Sequence, residues 1–111
     1  MDIHVEQHGE VAVVSIAGDI DALTADEASA FLNAQLDGGS EQLVLDMGQV
    51  KFMSSAGIRL LLVILRKSRE QGGDLRLAQA PPGIARTLEI AGLARILEVY
   101  PSVDEALASF V

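Results

Sequence analysis

The 111-residue chain has no cysteine, so it has no disulfide frame, no thiol nucleophile and no thiolate metal site, and it suits a reducing compartment. Basic residues are missing from its first half. Residues 1–50 carry ten acids and neither Lys nor Arg, and all eight bases lie between Lys51 and Arg95, so the two halves net −10 and +2. The overall charge of −8 argues against a nucleic-acid backbone or an anionic membrane as the main partner. The longest apolar run, Leu60 to Leu65, falls far short of the roughly 20 residues that span a bilayer. The opening MDIHVEQHGE has acids where a signal peptide carries bases, so the expectation is a soluble cytoplasmic protein with no membrane insertion.

Catalytic equipment is equally sparse. No Gly-x-x-x-x-Gly-Lys loop is present to cradle nucleotide phosphate, and Gly72-Gly73 ends a helix instead of opening one. His4 and His8, the only histidines, would stand about 13 Å apart on one strand, too far to share a metal ion. The length is that of one domain, since compact domains commonly run to roughly 100–150 residues.

Ile3, Val5 and Gln7 alternate with His4, Glu6 and His8 as in a half-exposed strand, and Gly9-Glu10 turns the chain into a second strand over Val11–Ala17. Thr24-Ala25-Asp26-Glu27 reads as a capping box opening a helix whose stripe is Ala28, Phe31, Leu32, Gln35 and Leu36, and Gly38-Gly39 ends it. Leu43–Asp46 has the composition of a strand buried on both faces, with Asp46 at its carboxyl end. A second helix spans about Ser55 to Gln71. Leu75 and Leu77 mark a strand, Ile84–Ala91 a short helix and Ile96–Tyr100 a last strand, and Ser102-Val103-Asp104-Glu105 caps a terminal helix through Phe110. The order ββαβαβαβα predicts an α/β sheet with helices packed on it, entered by an antiparallel hairpin.

The second helix starts unlike the others. Both capping boxes put an acid in the first turn, whereas Ser54-Ser55-Ala56-Gly57-Ile58 offers two hydroxyls, no carboxylate and a glycine that costs roughly 1 kcal/mol against alanine. A phosphate on Ser55 would suit the free amides and the dipole, and a close approach to the backbone would explain Gly57. An ordinary serine N-cap accounts for the same residues more plainly. The helix also has apolar residues to spare. Ile58, Leu61, Leu62 and Leu65 form one stripe for the core, leaving Leu60, Val63 and Ile64 on the far side for enclosure or a protein partner.

Leu43-Val44-Leu45-Asp46, Val50-Lys51-Phe52-Met53 and Ser54-Ser55-Ala56-Gly57-Ile58 together resemble the signature of STAS domains, specifically bacterial anti-sigma factor antagonists. Gly18-Asp19-Ile20-Asp21 with Thr24-Ala25, and Gly92-Leu93 with Pro101-Ser102-Val103 and Glu105-Ala106-Leu107, are similar to flanking stretches of that family, so the likeness covers residues 1–111. It implies a single domain with a mixed sheet of about five strands, an antiparallel N-terminal hairpin followed by largely parallel strands, and four helices. It also implies a non-enzymatic protein that docks on an anti-sigma factor, often a serine kinase, and so frees a sigma factor. The kinase would phosphorylate a serine at the start of the second helix and a metal-dependent phosphatase would remove the mark. No cofactor is expected in the chain itself, since ATP and Mg belong to the kinase, and the expected state is a monomer or weak homodimer. The acceptor carried over is Ser55. Ser54 stands where the family usually has Asp and is the second candidate. Asp19, Asp21, Asp46 and Gly57, with Leu60, Val63 and Ile64, complete the expected partner surface.

Two other readings compete. Asp46 at a strand end could accept phosphate as in a response-regulator receiver, but receivers also need an acidic pair after the first strand and a lysine near the end of the last. Lys51 and Lys67 are the only lysines, and neither is there. Alternatively, some STAS domains are accessory subunits of transporters or lipid-transport ATPases and act by docking without phosphorylation.

Overall fold

The alternating residues on either side of Gly9-Glu10 form strands β1 (Asp2–His8) and β2 (Val11–Ile20), antiparallel from Asp2 opposite Ala17 to His8 opposite Val11. Gly9 takes the φ of 61° that a two-residue hairpin turn of this kind needs at its first position. The computed structural model describes residues 1–110. Beyond the hairpin come α1 (Ala25–Asp37), β3 (Gln42–Met53), α2 (Ser55–Glu70), β4 (Asp74–Ala78), α3 (Pro82–Ile90), a 3-10 turn at Leu93–Arg95, β5 (Val99–Tyr100) and α4 (Val103–Ala108).

The five strands lie side by side in sequence order, and every pair after the first is parallel. Successive crossovers step in one direction, so right-handed connections put α1, α2 and α3 on the same face. Leu32 and Leu36 of α1, Leu61 and Ile64 of α2 and Leu88 of α3 are buried there with Val14, Leu45 and Leu77 of the sheet. On the opposite face α4 closes a smaller cluster of Ala106 with Val11, Val13 and Val44. Arg76 of β4 fastens it, with its guanidinium 3.9 Å from the Phe110 ring centroid and donating to Ser109 Oγ at 2.7 Å. This is the mixed five-stranded, four-helix architecture expected of the sequence.

Strand β3 is far longer than the Leu43–Asp46 segment read from composition. It runs 12 residues to Met53 beside a ten-residue β2, and two register shifts, between Ser15/Ala17 and Gly18/Asp19, absorb its extra residues. At the first of these the Asp46 carboxylate accepts from Gly48 N at 3.0 Å, which holds the bulge and carries the strand on through Met47-Gly48, past the Asp46 end expected from the sequence. The last strand is shorter than expected, because Leu93–Arg95 winds into a 3-10 turn and leaves only Val99–Tyr100 to pair with β4.

The capping box at Thr24 does not form. The Thr24 hydroxyl turns back into the loop, accepting from Asp21 N at 3.0 Å and donating to Asp19 O at 2.8 Å. Asp21 closes the helix start instead: its Oδ1 accepts from Leu23 N at 2.9 Å and Thr24 N at 3.2 Å, and its carbonyl accepts from Ala25 N at 2.8 Å. At α4 the expected cap is present, with Glu105 N donating to Ser102 Oγ at 3.1 Å.

Candidate functional site: the tip formed by β2, β3 and the start of α2

Strand β4 ends at Ala78 opposite Asp46, whereas β2 and β3 continue together to Ile20 and Met53, so this pair projects as a tip past the rest of the sheet. The chain reverses there into α2, and Ser54 N donates to Ile20 O at 2.9 Å, which seats the helix start on the end of β2. Asp19 pairs in register with Phe52 on the face away from α2, and the Asp21–Thr24 loop follows directly. The tip therefore joins Asp19, Asp21, Leu23, Phe52 and the first turn of α2.

The two serines differ at this point. Ser54 is the N-cap: it is extended and half-buried, and its hydroxyl accepts from Ala56 N at 3.2 Å. Ser55 is the first helical residue and is exposed. The first turn of α2 holds no acid, whereas the first turn of α1, which begins just beyond the same tip, holds Asp26 and Glu27. The acids of this part of the chain thus belong to the end of β2, the loop after it and α1, and the start of α2 carries none of its own.

Gly57 is buried, and the close approach it permits is internal. A β-carbon there would lie 2.6 Å from Met53 Cγ and 3.0 Å from both Ile20 Cγ2 and Ile20 O. Gly57 is therefore a wedge point between α2 and the tip and not a partner contact. Two other expected contacts are corrected in the same way: Leu60 and Ile64 are core residues, at 6% and 0% exposure. The buried stripe of α2 is Gly57, Leu60, Leu61, Ile64, Leu65 and Ser68, one position from the stripe read in the sequence, which leaves Ile58 and Leu62 at its margins. Only Val63 of the three remains at the surface, 42% exposed.

Asp46 is also removed from the tip. Met53 lies seven positions further along β3, a distance on the order of 20 Å at the usual strand rise. Its carboxylate serves the bulge described above, and its strand continues because β2 continues.

Three tip residues escaped the sequence reading. Leu23 is 92% exposed and Phe52 53% exposed, so both offer apolar surface at the tip. Arg59, exposed, lies one helical turn beyond Ser55 on the same outer face of α2 that carries Val63. A lone leucine within Asp21-Ala22-Leu23-Thr24, and the four-residue step from Ser55 to Arg59, were the available signals. Among the described residues no group of three His, Asp or Glu is placed to hold a metal ion, and no helix is long and apolar enough to cross a membrane.

The chain is thus a small α/β domain whose projecting tip carries exposed apolar side chains, the acids Asp19 and Asp21, and a helix start without an acid. The chain belongs to the STAS domain family, whose model matches residues 2–106. It is 30% identical to BtrV of Bordetella bronchiseptica over 110 residues, covering 99% of this chain and 95% of that protein. It is 26% identical to the anti-sigma F factor antagonist of Paenibacillus polymyxa, covering 96% and 92% of the two chains. The crystal structure of an anti-sigma factor antagonist from Mycobacterium paratuberculosis superposes with a TM-score of 0.89 at 30% identity, covering 97% of this chain and 92% of that one. All three relatives are described as anti-sigma factor antagonists.

Proposed function

We propose that the chain antagonises an anti-sigma factor by docking through the tip, and that phosphorylation of Ser55 by that partner's kinase activity undocks it. The observation that carries the reading is the division of labour at the start of α2, where Ser54 is committed to the cap and Ser55 is exposed in a first turn without acids. Leu23, Phe52 and Val63 supply apolar contact around it, and Asp19 and Asp21 supply the charge the partner must match. A phosphate on Ser55 adds about −1.5 to −2 charges at neutral pH beside those acids. One unit pair at ~4 Å is worth about 4 kcal/mol at an effective dielectric near 20, and each ~1.4 kcal/mol changes affinity about tenfold. Even after screening, a partner surface matched to the unmodified tip loses its fit. The cap itself survives, because a helix N-terminus accommodates an anion. ATP and Mg act within the kinase, and a metal-dependent phosphatase returns the antagonist to its docking form.

The test is titration calorimetry against the cognate anti-sigma kinase. Ser55→Asp is expected to bind at least about tenfold more weakly than the unmodified protein, whereas Ser55→Ala binds normally and stays bound when ATP is added. Equal affinity of Ser55→Asp and Ser55→Ala overturns the proposal, and recovery of a transporter ATPase in place of a kinase moves the chain to the accessory-subunit reading.

A further inference from the structure

Strand β1 is the outer edge of the sheet. Its residues His4 to His8 are exposed on both faces, and among the described residues only β2 pairs with it. The two-residue turn makes His8 and Val11 a hydrogen-bonded pair, and the register runs to Asp2 and Ala17 without a shift. Alternation then points the main-chain groups of Asp2, His4, Glu6 and His8 at β2. Those of Ile3, Val5 and Gln7 face outward with no strand to receive them.

The sequence of this edge is complementary to itself. Laid antiparallel on a second copy about a twofold axis at Val5, the strand sets Asp2 opposite His8, His4 opposite Glu6, and Val5 opposite Val5. The free amides and carbonyls of Ile3, Val5 and Gln7 become the hydrogen-bonded pairs. The four His–carboxylate pairs fall at the non-hydrogen-bonded positions, where opposing Cα atoms come within about 4.5 Å and side chains meet most closely. Neighbouring registers lose this match: a twofold at His4 opposes Asp2 to Glu6, and a twofold at Glu6 opposes that carboxylate to its own copy. We propose that the outer edge of β1 pairs with β1 of a second copy, centred on Val5, to give a weak twofold dimer with a continuous ten-stranded sheet.

The net charge of −8 on each copy opposes association, but the Debye length of about 8 Å at physiological ionic strength screens the distant charges and leaves the local pairs in force. The twofold reverses the strand direction while keeping α1, α2 and α3 of both copies on one face. The two α2 starts then lie at opposite ends of the joined sheet, and neither tip is covered.

Single cysteines in this cysteine-free chain test the register. Val5→Cys places two thiols across the axis at a Cα separation of about 5.5 Å, within disulfide reach, whereas Gln7→Cys separates its copies by more than about 13 Å along the strands. Under a mild oxidant the Val5→Cys protein is expected to form covalent dimer at least about tenfold faster than Gln7→Cys. Val5→Pro removes an outward amide and leaves the β1–β2 ladder intact, as an edge strand allows. In sedimentation velocity it is expected to remain monomeric at concentrations where the unmodified protein self-associates, with its melting temperature nearly unchanged. Equal cross-linking at positions 5 and 7, unmodified protein that stays monomeric up to about 1 mM, or an edge that pairs only with a strand of a different protein overturns the proposal.

Discussion

Replacing Gly57 by alanine sets two effects of opposite sign against each other. Helix propensity favours alanine in a helix by about 1 kcal/mol, so on local grounds the substitution stabilises. Tertiary packing opposes it. The new methyl would lie 2.6 Å from Met53 Cγ and 3.0 Å from Ile20 O, and the latter is backbone held by its own bond from Ser54 N, so it cannot swing aside. Relieving such overpacking costs typically about 1–3 kcal/mol, and more where backbone must shift. The expected net loss is about 1–2 kcal/mol, or a fall in Tm of roughly 4–8 °C per kcal/mol for a domain near this size. Gly83→Ala is the control. Gly83 lies in α3, and a β-carbon added there would meet nothing within 4 Å, so alanine is expected to raise stability by a few tenths to about 1 kcal/mol. Urea unfolding of both variants, followed by far-ultraviolet circular dichroism, gives the two signs. A Gly57→Ala protein as stabilised as Gly83→Ala refutes the wedge and reopens the expectation that Gly57 faces a partner.

Three further substitutions have defined outcomes. Ser54→Ala removes the N-cap acceptor and is expected to cost about 1 kcal/mol in urea unfolding, whereas Ser55→Ala stays within about 0.5 kcal/mol; the reverse order would exchange the roles of the two serines. Ile64→Ala empties fully buried volume at a cost of about 2–5 kcal/mol, whereas Val63→Ala changes stability by less than about 1 kcal/mol, and similar losses from both would contradict the rotation of α2 described above. Arg76→Ala deletes the stacking on Phe110, the bond to Ser109 and the 3.3 Å ion pair with Asp74, and is expected to cost about 1–3 kcal/mol. Hydrogen exchange should then quicken in α4 before the rest of the sheet, and uniform quickening would show that α4 is not held by this contact.

The element order, the hairpin at Gly9-Glu10 and the two faces of the sheet follow from alternation, helical spacing and glycine punctuation, all of which act over a few residues. The start of α2 was legible for the same reason, since Ser54-Ser55-Ala56-Gly57-Ile58 is one contiguous segment. Local rules failed where two local solutions competed. Thr24 and Asp21 can both close α1, and the loop let the carboxylate reach the amides first. The apolar run that marks β3 stops at Asp46, yet the strand goes on, because a bulge costs little when a neighbouring strand continues alongside.

The sequence by itself determined that α2 is a helix with more apolar surface than one stripe uses, and that its first turn lacks acids. Which residues of it face the core was a matter of rotation, and one position along a helix is about 100°. Only the tertiary structure decided that rotation, because the contact that sets it, Gly57 and Met53 against Ile20, brings the end of β2 onto a helix that follows much later in the chain. The same contact delivers Ser55 to the exposed side of the tip and withdraws Leu60 and Ile64 from any partner.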